Sequence, residues 1–230
     1  MINKFFKTIH NRYATFFKFI FLIRYLFLIF FLFLVLLLII PKFFDYEKNK
    51  DVFKSYLLKE YKIEVNRHAS ISFDIFPIPK IEINDAEIEL KKISSKLFSD
   101  KIVLYPSILS IYNYDNFELN KLTIKKSKIN IEISELPKFT NNLLKQKKKI
   151  NLQNLNLRIT NKNNFLFNLE NISFSNFNKK NKVIVGKIFG KKFKINYKNN
   201  FDFINLNIPE IGLKTNFLLN KVKNNAVEGN

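Results

Sequence analysis

The chain has 230 residues, 47% of them hydrophobic, with 39 lysines and arginines against 19 acids and no cysteine. The missing cysteine excludes a disulfide framework, a thiolate metal site and a cysteine nucleophile. The net charge of +20 is carried mainly by scattered lysines, without the arginine clusters and stacking platforms that grip nucleic acid.

Residues 1–18 form a basic tail that holds Lys4, Lys7, Arg12 and Lys18 and no acid. Residues 19–41 read as a transmembrane helix. From Phe19 to Ile40 the only charge is Arg24. At 1.5 Å per residue this stretch spans about 33 Å, which matches a hydrocarbon core of about 30 Å. Arg24 lies one turn in, so its stem reaches back to the interface. Tyr25, Leu32, Leu37 and Ile40 mark the membrane-buried stretch, and Pro41 ends it. Mixed charge follows, with Asp45, Glu47 and Asp51 among Lys42, Lys48 and Lys50. The positive-inside rule therefore predicts a cytoplasmic N-terminus and export of residues 42–230. A cleaved signal peptide would have an apolar region of about 7–15 residues and small residues at the cleavage site. Here Ile-Pro-Lys-Phe-Phe follows instead, so the segment reads as an uncleaved anchor.

Residues 42–66 read as an amphipathic helix and linker. Val52, Phe53, Tyr56, Leu57 and Tyr61 recur at three- and four-residue spacing over 47–62, the pattern of a helix packing on the domain it introduces. From residue 67 to 230 the period becomes two. Ile71, Phe73 and Ile75 alternate with polar residues, as do Ile81 and Ile83, and, after a shift near Asp85, Ile88 and Leu90. Leu122 and Ile124 lead to Ile129, Ile131 and Ile133; Leu155, Leu157 and Ile159 follow. Further sets are Phe165, Phe167 and Leu169; Phe193, Ile195 and Tyr197; and Leu206 and Ile208. Each is a strand with one apolar face. Asn-rich links at 161–164 and 178–181 predict tight turns. Residues 135–149 break the pattern and read as a short helix or long connection, its Lys147-Lys148-Lys149 run a solvated helix end or a site for lipid phosphate. The fold class is thus mainly β, an antiparallel meander behind one transmembrane helix. Periodicity alone admits two stacked sheets or one strongly curved sheet around an apolar groove.

The run Tyr56-Leu-Leu-Lys-Glu-Tyr-Lys-Ile-Glu-Val65, then Ile71-Ser-Phe-Asp-Ile-Phe-Pro-Ile-Pro-Lys-Ile-Glu-Ile-Asn-Asp-Ala-Glu-Ile-Glu-Leu90, resembles the N-terminal region of AsmA-like proteins. In that family a membrane helix precedes a short helix, a strand, a Phe-Pro element (here Phe76 and Pro77) and a further strand. The stretch Ile108–Ile133 is similar to the family's next segment. The resemblance covers roughly residues 20–135, and Asn66-Arg67-His68 stands where the family often has a glycine. The ending Lys223–Asn230 resembles a strand lead-in cut off midway, as in a fragment or a small family member. The resemblance implies a protein of the inner membrane with a periplasmic β-groove, supporting outer-membrane biogenesis with phospholipid and other envelope proteins as its partners. The apolar rows named above, from Ile71 to Ile159, would then stand uncovered and shield acyl chains, each CH₂ being worth about 0.8 kcal/mol. A lipopolysaccharide-transport component of the LptC kind and an anchored β-sandwich scaffold are the competing readings.

No catalytic pattern is present, and no cofactor or metal is expected. His10 and His68 are predicted on opposite sides of the membrane, and there is no nucleophile elbow. Gly186 and Gly190 lack phosphate-loop spacing and read as turn glycines. Glu82 with Asp85, and Glu87 with Glu89, read as solvated carboxylates. An enzyme is not expected.

Overall fold

A computed structural model describes residues 14–90, 93–178, 181–198 and 203–218. Lys4, Lys7, His10 and Arg12, residues 179–180 of the second predicted turn and the strand lead-in at 223–230 lie outside them. The chain forms two compact units, Met1–Phe44 and Asp45–Asn230.

In the first unit, helix α1 (Ala14–Ile39) runs for 26 residues and ends in a tight turn over Ile40–Phe43 with Pro41 as its second residue. Among the described residues it is the one helix long and apolar enough to cross a membrane, with its apolar stretch at Lys18–Phe43. Tyr25 and Leu32 on it and Ile40 just past it are exposed, and Leu37 is half-buried.

The second unit begins with helix α2 (Lys50–Tyr56), which widens over Leu57–Tyr61 and stops at Lys62, a residue in the left-handed conformation. The strands that follow are β1 (Ile63–Arg67), β2 (Ser70–Asp74), β3 (Lys80–Leu90) and β4 (Lys96–Pro106). After the short helix α3 (Ile108–Tyr112) comes β5 (Leu119–Glu132), then helix α4 (Leu136–Leu144). The remaining strands are β6 (Ile150–Asn161), β7 (Asn164–Ser175), β8 (Asn181–Ile188), β9 (Lys191–Lys198), β10 (Phe203–Ile208) and β11 (Leu213–Leu218). All eleven belong to one sheet, ordered β1-β3-β4 through β11, and it is not closed. Strands β1 and β2 are two halves of one broken edge strand, since both pair with β3.

The sheet is mainly β and mostly antiparallel, as the alternation predicts. It departs from a plain meander at one place: β5 and β6 are parallel, Leu122 facing Ile150 and Ile131 facing Ile159. Parallel neighbours need a crossover, and α4 supplies it. The predicted turn at 161–164 is a two-residue hairpin, with Lys162 and Asn163 both at positive φ as a primed turn requires.

The shift near Asp85 recurs in the neighbouring strands. Inward residues are normally two apart, yet each of β3 to β7 takes one step of three: Ile83 to Ala86, Ser99 to Ile102, Ile124 to Ser127, Leu152 to Leu155 and Leu169 to Ile172. Asp85, Lys126, Asn154 and Asn171 adopt positive φ there. Together they form a seam of bulges at one level, and each bulge raises the local twist and bends its strand. The seam ends at β8, where Gly186 stands opposite the bulged stretch of β7. Gly186 is therefore a mid-strand residue, unlike Gly190 in the turn at φ 76°. A Cβ on Gly186 would meet the Phe193 ring at 2.9 Å and the Glu170 carbonyl at 3.1 Å.

Glu82 is likewise not a solvated carboxylate. Burial favours its protonated form, but Lys101 Nζ at 2.6 Å and Lys80 Nζ at 3.2 Å outweigh this and hold the carboxyl below the ordinary glutamate range. A group lowered in the folded state adds stability above its unfolded pKa of about 4.3 and loses it as pH falls through the lowered value. Glu82→Gln is expected to cost about 1–2 kcal/mol near neutrality. It should also flatten part of the fall in urea midpoint as the pH drops below about 5. Equal slopes for the variant and the parent would show that this ion pair adds nothing.

Candidate functional site

The inner face of the sheet carries the rows on which the sequence reading rests. Ile71, Ile81, Ile83, Ile88, Leu122, Ile124, Ile129, Ile131, Leu155, Leu157 and Ile159 are all buried. Phe73, Ile75 and Leu90 are half-buried, and Ile133, just beyond β5, is exposed. The sequence reading leaves these rows uncovered. Over β1 to β6 they are not, because α2 and α4 lie on the same face and bury their own apolar sides there: Phe53, Leu57 and Tyr61 from α2, Phe139 and Leu144 from α4. Farther along, Leu169, Ile184, Ile188, Ile195 and Leu206 continue the apolar stripe across β7 to β10 and remain half-buried.

Between the two helices lies a cavity of about 660 Å³, inside the range of roughly 300–1,000 Å³ typical of small-ligand sites. Its floor is apolar: Ile63, Leu90, Leu97, Ile124, Ile150 and Leu152. Phe139 and Leu143 of α4 form a wall. Its rim is basic, with Lys59, Lys62, Lys138, Lys145, Lys147 and Lys148 against the single acid Glu60, which lies 3.7 Å from Lys148. Of the sequence-predicted groove residues, Leu90 and Ile124 line this cavity. The rest of those rows form the core that shapes it.

The rim is held rigidly. Buried Asn176, just past β7, accepts from the Ile150 amide at 2.8 Å through Oδ1. Its Nδ2 donates to the carbonyls of Gln146 at 2.9 Å and Lys148 at 2.8 Å. The loop 145–149 is thereby fixed to the sheet. Gln146 Nε2 donates to the Tyr61 carbonyl at 3.3 Å and Tyr61 Oη to the Lys149 carbonyl at 3.3 Å, so the same loop is tied to the end of α2. Burial raises the Tyr61 phenol well above its ordinary pKa, so it remains a donor. Lys182 Nζ donates to the Leu144 carbonyl at the end of α4, and burial pushes that ammonium down. Glu135 secures the other end of α4 by accepting from Ser94 Oγ at 2.7 Å and Ser95 Oγ at 3.2 Å.

Sequence reasoning flags the 147–149 lysines but misses Asn176 and the wall of α4. One buried asparagine leaves no mark in a chain so rich in asparagine. The chain matches no protein-family model and no curated protein. Among the described residues no group of three or more histidines, aspartates or glutamates could hold a metal ion. His68 faces Glu47 at 3.1 Å, where the carboxylate also accepts from the Ile71 amide at 2.7 Å and fixes the start of the unit against β2. The arrangement can hold an oily chain in its floor and an anion at its rim.

Proposed function

We propose that this is a membrane-anchored lipid-handling protein of the AsmA-like kind. Helix α1 crosses the inner membrane with its N-terminus cytoplasmic. The β unit stands in the periplasm and shields phospholipid acyl chains in support of outer-membrane biogenesis. The observation that carries this reading is the cavity between α2 and α4, which joins an apolar floor to a lysine rim. Water excluded from such a floor is replaced favourably by hydrocarbon, at about 0.8 kcal/mol per CH₂. The half-buried stripe on β7 to β10 offers the same surface beyond the cavity. The reading needs no bond-making step and no cofactor; affinity alone moves or holds the lipid.

A photocrosslinking residue at Leu143, in the cavity wall, tests it in intact envelopes. Adducts with phospholipid are expected there, and not from the same residue at Phe98, which is exposed and outside the cavity. Equal lipid capture at both positions, or none at Leu143, would remove the cavity from lipid handling.

A further inference from the structure

Two charge-free tips project from one end of the sheet. The first joins β2 to β3 and reads Ile75-Phe-Pro-Ile-Pro79; the second, Ser107–Tyr112, follows β4 and includes α3. Ile81 pairs with Leu104, so both lie at the same end of neighbouring strands. Phe76 and Leu109 are each 81% exposed, and Ile78 and Ile108 are exposed beside them. Surface turns are ordinarily polar, and this chain is 25% charged. The first tip is closed at its base by Asp74 and Lys80, paired at 3.1 Å, and the turns after β8 and β10 at the opposite end expose Phe189 and Ile211.

The chain arriving from α1 comes into the β unit at this same end. Tyr46 stacks on Phe73 of β2 at 5.3 Å with the ring planes 8° apart. Phe53 meets Tyr114 at 5.9 Å and Phe117 at 5.1 Å, in the segment that follows the second tip. From Ile40 to Tyr46 the backbone can reach at most about 21 Å. No more than that length of chain separates the end of α1 from the residue that docks at this end of the sheet. Apolar residues with no charge among them gain by burial at the headgroup–acyl boundary, roughly 5–10 Å deep.

We infer that the tips carrying Phe76, Ile78, Ile108 and Leu109 dip into the bilayer that α1 crosses, giving the β unit a second, non-covalent contact with that membrane. This rests on the anchor part of the proposed function and is independent of what occupies the cavity.

The chain has no tryptophan, so a single one is a unique reporter. Full-length F76W, L109W and F189W are reconstituted into vesicles of phosphatidylethanolamine and phosphatidylglycerol, with and without brominated-chain phosphatidylcholine. Tryptophan at 76 and at 109 is expected to emit at shorter wavelength and to lose most of its emission to the brominated chains. Tryptophan at 189 is expected to emit as in water and keep its intensity. Quenching at 76 and 109 no greater than at 189 overturns the inference. Full-length protein that does not float with the vesicles overturns the anchor reading and this one with it, whereas lipid capture at Leu143 reports on the cavity separately.

Discussion

Phe53→Ala is expected to destabilise the β unit by about 3–5 kcal/mol, the range for truncating a buried phenylalanine. Phe53 is fully buried. It lies against Tyr46 at 6.4 Å as well as Tyr114 and Phe117, so it joins the arriving chain, helix α2 and the segment before β5. Rigid rings on several sides leave little room for the gap to collapse. Since domains are stable by only about 5–15 kcal/mol, this one change consumes a large part of the margin. Urea unfolding of detergent-solubilised full-length protein, followed by circular dichroism, measures it. Leu58→Ala, on the exposed side of the same helix, should cost less than about 0.5 kcal/mol. Should the two variants unfold together, α2 would not belong to the core. The loss should also appear in lipid capture, because the end of α2 supplies Lys59, Tyr61 and Lys62 to the cavity.

The second large effect concerns the rim. Replacing Lys59, Lys62, Lys145 and Lys147 together by glutamine removes four exposed cations from the cavity mouth and leaves the Lys148–Glu60 pair in place. An exposed ion pair is worth about 0.2–1 kcal/mol, so the four together amount to about 1–4 kcal/mol, or roughly fivefold to a thousandfold in affinity. Titrating the solubilised protein with fluorescent phosphatidylglycerol should show that drop, with much less change for phosphatidylcholine. An equal change for both lipids would mean that the lysines serve the fold and not the ligand. High salt should weaken the unmodified protein toward the variant, since exposed charges are screened over about 8–10 Å.

Much of the fold is legible in the sequence because its physics is local. The uniform run from Phe19 to Ile40 announces α1, and the spacing of Phe53, Leu57 and Tyr61 announces α2 together with the face it buries. Period-two alternation places the strands, and the slip near Asp85 betrays one bulge. The seam itself is not legible: Lys126 carries no sign of a left-handed backbone, and Asn154 and Asn171 are two asparagines among many. The parallel pairing of β5 with β6 is equally hidden, since the same alternation suits either direction and only the crossover through α4 decides it. The cavity is the least legible part. Each apolar row satisfies its alternation whether it faces solvent, lipid or a helix of its own chain. Lys147 to Lys149 stand out as a run, but nothing local shows that Asn176 turns that run into the rim of a cavity.

The bulge seam has a consequence for how these strands tolerate changes in length. On either side of Asn154 the inward residues of β6 follow opposite parity, Ile150 and Leu152 before it, Leu155, Leu157 and Ile159 after. The extra residue acts as a phase reset. Deleting it would leave one half of the strand correctly faced and turn the other half inside out, so no single frame would suit both halves. Insertions and deletions are therefore neutral only in the hairpins, or where a neighbouring pair of changes restores the phase across the seam.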